Sequence, residues 1–64
     1  MPYDLYSERD GNRVLVASAL SLDDAANQVE GMEEAGTWPE GYDAVAVPPG
    51  GGQALSYADG WEPL

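Results

Sequence analysis

The sequence predicts an α+β fold, a two-layer ββαββ domain with one helix packed on a small, mostly antiparallel sheet. Three observations carry this expectation. Asp10 and Gly11 lie between two alternating runs. Residues 21–36 form a capped amphipathic segment. Two short apolar runs, 43–47 and 53–58, follow and are joined by the loop PPGGG. At 64 residues the chain has room for one domain, 1–64.

Residues 3–8, YDLYSE, alternate loosely and carry two tyrosines, as a strand does. Residues 13–20, RVLVASAL, alternate better, with Val14, Val16 and Leu20 on one side and Leu15, Ala17 and Ala19 on the other. Asp10-Gly11 between them is a strong hairpin signal, because the turn needs positive φ and glycine accepts it freely.

The helix is the clearest element. Ser21 followed by Asp24 fits a capping box, and Asp23 and Asp24 suit the positive end of the helix dipole. Leu22, Ala25, Ala26, Val29 and Met32 recur at helical spacing and define a narrow, alanine-rich apolar face. Gly36 suits the left-handed residue that ends a helix, and Pro39 prevents its resumption. Gly31, inside the helix, costs about 1 kcal/mol relative to alanine.

Residues 43–47, DAVAV, and 53–58, QALSYA, read as two further strands, with Leu55 and Tyr57 on one side of the second. One helix covers only one face of such a sheet, which gives two layers. The order of elements resembles the β-grasp architecture, in which the first and last strands pair in the middle. The likeness is one of order and length. The alternative is a ββαβ unit with an irregular tail.

Composition removes most chemistry. The chain has no cysteine and no histidine, so the usual zinc ligands and the usual general base are missing. Twelve carboxylates face two arginines, Arg9 and Arg13, and the net charge is −10 without a single lysine. Direct nucleic-acid binding is not expected, since that affinity comes from neutralising phosphates with Lys and Arg. The same field repels anionic membranes. The absence of Lys, Ile and Phe beside abundant Ala, Gly, Val, Asp and Glu reflects GC-rich codons, as in a GC-rich bacterium, its phage or a salt-loving archaeon. No apolar run approaches the roughly 18 residues of a membrane span, and no basic-then-apolar leader is visible. A cytoplasmic protein is expected.

The candidate motifs fail when tested. Gly50, Gly51 and Gly52 lack the lysine and the following helix of a phosphate loop, and GxGxxG is absent. They read as the turn of a long hairpin connection. ERDGN fails as an EF-hand loop, because aligning Gly11 puts Tyr6 and Ala17 at the two ligand ends. No serine has a histidine or lysine to activate it. No catalytic residue, metal site or cofactor is expected, and the protein reads as a non-enzyme.

What remains is a stripe. At 100° per residue, Asp23, Asn27, Glu30 and Glu34 fall within about 60° of one another, away from Leu22 and Val29, over roughly 16 Å. No basic residue shares the helix. Glu30 and Glu34 repel at i,i+4 by about 0.2–0.5 kcal/mol. Glu33 and Glu34 sit at the negative end of the dipole, at about 0.3–1 kcal/mol each. The total is noticeable against the roughly 3–5 kcal/mol that such a core supplies. Glu33 itself points toward the apolar face and is expected to snorkel or to pair with Arg9 or Arg13. Trp38 and Trp61 are expected as lids at the ends of the sheet. Tyr6 falls opposite Leu5 in the pleat and is placed on the open face, where it suits a partner contact.

The expected function is a small acidic interaction module, a modulator from a bacterium or a phage. Its candidate contacts are Asp23, Asn27, Glu30, Glu34 and Tyr6. Its partner is a protein with a basic surface, with nucleic-acid mimicry as a special case. The alternative is a stand-alone domain whose charge reflects solubility or adaptation to high salt.

Overall fold

A computed structural model describes residues 2–64 and shows one helix packed on a five-stranded antiparallel sheet. The strands are β1 (Tyr3–Arg9), β2 (Asn12–Leu20), β3 (Asp43–Val47), β4 (Leu55–Tyr57) and β5 (Trp61–Pro63), and the helix is α1 (Leu22–Ala35). Their order across the sheet is β2-β1-β3-β4-β5.

The first hairpin forms as expected. Asp10 and Gly11 both have positive φ, 54° and 82°, as a two-residue type I′ turn requires. β2 then departs from simple alternation. Register shifts fall between Tyr3 and Leu5 and between Leu5 and Tyr6, so β2 carries extra residues opposite β1. Ala19, at φ 60°, lies in one of these irregular stretches. The two shifts together restore the parity, and Val16 and Leu20 still reach the core.

β3 pairs with β1 antiparallel, with Leu5 opposite Ala46 and Ser7 opposite Ala44. This corrects the expected order, since the last strand does not pair with the first in the middle of the sheet. The helix returns the chain to the hairpin end, so β3 runs back alongside β1. Ala44, Val45 and Ala46 are all buried, and a strand apolar on both faces belongs at the centre. β4 is shorter than its expected 53–58, and it pairs outward with β5, with Tyr57 opposite Trp61. A fifth strand, which the ββαββ expectation did not include, follows at Trp61–Pro63. Between β3 and β4 the glycines turn the chain, Gly50 and Gly51 having φ 84° and 83°.

The helix closes as its sequence directs. Ser21 Oγ accepts from the Asp24 N–H at 3.1 Å. Gly36, at φ 74°, donates to the Glu33 carbonyl, and the Thr37 N–H reaches the Met32 carbonyl at 2.8 Å. These two bonds form a Schellman closure. Ala25 and Val29 are buried against Leu5 and Ala44, and Val16, Leu20, Trp38, Tyr57 and Trp61 pack around them.

Two substitutions test this packing. Leu5→Ala removes the largest side chain of the seam and is expected to cost about 2–5 kcal/mol. Urea titration followed by circular dichroism should find most of the margin gone, and a loss below about 1 kcal/mol would contradict the core assignment. Gly31 is exposed, and a Cβ there meets nothing within 4 Å. Gly31→Ala should therefore stabilise the helix by about 1 kcal/mol and raise Tm by roughly 4–8 °C in a thermal melt.

Candidate interaction surface

All four residues of the acidic stripe, Asp23, Asn27, Glu30 and Glu34, are exposed on α1. The helix has acidic residues in its first turn and no basic residue in its last. The two arginines are engaged elsewhere. Arg13 Nε donates to Glu8 Oε2 at 2.6 Å, and Arg9 lies 3.9 Å from Asp10 Oδ2. Among the described residues no ion pair involves a carboxylate of the helix.

Glu30 has a second engagement that angular spacing does not reveal. Tyr57 projects from the helix-facing side of β4, and its hydroxyl donates to Glu30 Oε2. Tyr57 also packs against Trp61, with ring centroids 4.9 Å apart. The Trp61 indole N–H donates to the Leu22 carbonyl at 3.0 Å. Two aromatic side chains from the far strands thus hold the N-terminal and middle turns of the helix.

Tyr6 is separated from the stripe. It pairs in register with Leu15 and Val45, on the sheet face opposite Leu5 and the helix. A single flat partner surface does not touch Tyr6 and the outer face of α1 together. Tyr6 is only part-exposed, and Val45 beside it is fully buried. Its position gives it a role in covering that face.

Glu33 pairs with neither arginine. It lines an open cleft of about 660 Å³ at the C-terminal end of the helix, together with Gly36, Trp38, Glu40 and Tyr42. The Trp38 indole N–H donates to the Tyr42 carbonyl at 3.2 Å, which fixes the loop against the core. The Arg9 guanidinium lies 5.8 Å from the centroid of the Tyr42 ring. This cleft joins residues from the helix end and from the loop TWPEGY. Sequence spacing offered only one signal for it, the aromatics Trp38 and Tyr42 and the acids Glu33 and Glu40 close to Gly36.

Among the described residues no group of three or more His, Cys, Asp or Glu side chains is placed to hold a metal ion. No helix among them is long and apolar enough to cross a membrane. The chain matches no family model, no curated protein and no solved structure.

The Tyr57–Glu30 bond has a titration signature. The Glu30 carboxylate accepts from the phenol, which favours the protonated form and raises the Tyr57 pKa above the usual 10.0. Its contribution to folding is complete below the unfolded tyrosine pKa and is lost as pH rises through the folded one. Ultraviolet titration of the phenolates should show one tyrosine ionising late, and Glu30→Gln should bring it back toward the others. Identical curves for both proteins would show that the bond does not form in solution.

Proposed function

We propose that the chain is a small acidic protein-interaction module, without catalytic activity, that binds a basic surface on a partner protein through the outer face of α1. The observation that carries this reading is that, among the described residues, no cation lies along that face. Asp23, Glu30 and Glu34 stand exposed on a helix with no basic residue, while both arginines turn to carboxylates of the β1–β2 hairpin.

Such an arrangement is unfavourable for the isolated domain. Glu33 and Glu34 oppose the helix dipole in its last turn, at about 0.3–1 kcal/mol each, and among the described residues neither has an ion-pair partner. A basic partner would relieve this repulsion on binding. Charge of one sign along a face also steers encounter and raises the association rate. Partners of this kind include proteins whose basic surface otherwise holds nucleic acid, since a row of carboxylates presents the charge of a phosphate backbone.

The test reverses charge without touching the Tyr57–Glu30 bond. In Asp23→Lys/Glu34→Lys the first change loses a favourable dipole contact and the second gains one, so stability should change little. Affinity capture from nuclease-treated lysate would supply the partner, and titration of that partner would compare the two proteins. The double variant is expected to bind about tenfold or more weakly, and wild-type binding should weaken as salt rises. Equal affinity for both proteins, unchanged by salt, would remove the helix face as the interface.

A further inference from the structure

We propose that the cleft at the C-terminal end of α1 is the recess in which an arginine side chain of the basic partner is anchored. This rests on the reading of the protein as a binder of basic surfaces and adds where, and by which chemistry, the grip is made.

Three features of the cleft are complementary to a guanidinium. Glu33 and Glu40 are among its lining residues, and neither forms an ion pair among the described residues. The helix ends here with no basic residue in its last turn, so the negative end of its dipole adds to the two carboxylates. Trp38 and Tyr42 also line it, and a guanidinium combines stacking on aromatic rings with hydrogen bonds to carboxylates. A lysine ammonium lacks the planar face that uses both.

A second observation, independent of the carboxylates, names the same ligand. Arg9 of the chain itself stands 5.8 Å from the centre of the Tyr42 ring, so this ring already takes a guanidinium. Arg9 is held loosely, with its side chain 58% exposed and its Asp10 contact at 3.9 Å. It approaches from the Gly41 side, where a Cβ would come within 3.9 Å of its guanidinium. Arg9 is then a resident competitor, a like charge beside the site, and removing it should tighten binding.

The cleft lies beside the acidic face. Glu33 lines it and also lines a second recess with Glu30, Tyr57 and Asp59, and the exposed Glu34 is the next residue along the helix. A basic segment laid along the helix would reach the cleft at its end, with the long-range charge guiding approach and the recess holding one side chain.

The two indole N–H resonances of Trp38 and Trp61 provide the readout, assigned with Trp38→Phe. On titration with a tri-arginine peptide, the Trp38 signal should shift saturably while the Trp61 signal stays in place. Glu33→Gln/Glu40→Gln is expected to weaken this binding about five- to tenfold, and Arg9→Ala to strengthen it about twofold or more. Both Gln substitutions relieve repulsion at exposed positions, so the fold is not at risk. A Trp38 signal that does not saturate, or an affinity unchanged by the two Gln substitutions, overturns the proposal.

The intact partner separates the two readings. If it binds the Gln variant as it binds wild type but fails with Asp23→Lys/Glu34→Lys, the recess is rejected and the helix face stands. If it binds the Lys variant normally and fails with the Gln variant, the helix face is rejected and the recess stands.

Discussion

The seam between α1 and the sheet governs the structure, and it is built from very small side chains. Ala25 and Ala44 belong to it, with Val29 and Leu5 as its large, fully buried members among the described residues. Small residues let the helix lie close to the sheet, but they bury little apolar area, at roughly 25 cal/mol per Å². The helix is therefore held at its margins as well as through its centre. Trp61 hydrogen-bonds the carbonyl of Leu22, Tyr57 reaches Glu30, and Trp38 packs below the C-terminal turn. These contacts fix the rotation of α1 about its axis, and with it the direction in which the acidic face looks.

The sequence was most legible where a local rule acts alone. Asp10-Gly11, the Ser21 cap and the Gly36 closure each follow from backbone chemistry within a few residues. The same dipeptide recurs at Asp59-Gly60, between Tyr57 and Trp61, and there it turns β4 into β5. That signal was present in a stretch to which no element was assigned. Sheet order was harder, because element order alone does not say which later strand pairs with β1. It is decided by which strand is apolar on both faces, and DAVAV is. The candidate surface was legible as an angle on a helical wheel. The diversion of Glu30 to Tyr57 was not, because a contact across twenty-seven residues needs the fold first.

The distribution of carboxylates separates structural from unassigned charge. Edge strands usually carry charge to block pairing with other chains. Here β2, an edge strand with Val14 and Leu15 more than half exposed, has no carboxylate at all. Its protection comes from the two register shifts that interrupt its ladder. The opposite edge, β5, is three residues long and contains Pro63. The acidic residues of α1 are thus not needed to guard the sheet.

Within the helix the same sorting continues. Asp23 and Asp24 lie in the first turn, where the dipole favours negative charge, so stability alone accounts for them. Glu30 accepts the Tyr57 hydroxyl and so ties the helix to β4. Glu33 and Glu34 have no such employment, and they stand where the dipole opposes them. Glu40, just beyond, shares the cleft with Glu33. The stripe first read as uniform is therefore uneven. Asp23 and Glu30 serve the fold as well as the exposed face, whereas Glu34, with Glu33 and the Trp38–Tyr42 cleft beside it, carries charge that folding does not explain. A partner that supplies cations there would satisfy the helix terminus and the carboxylates together.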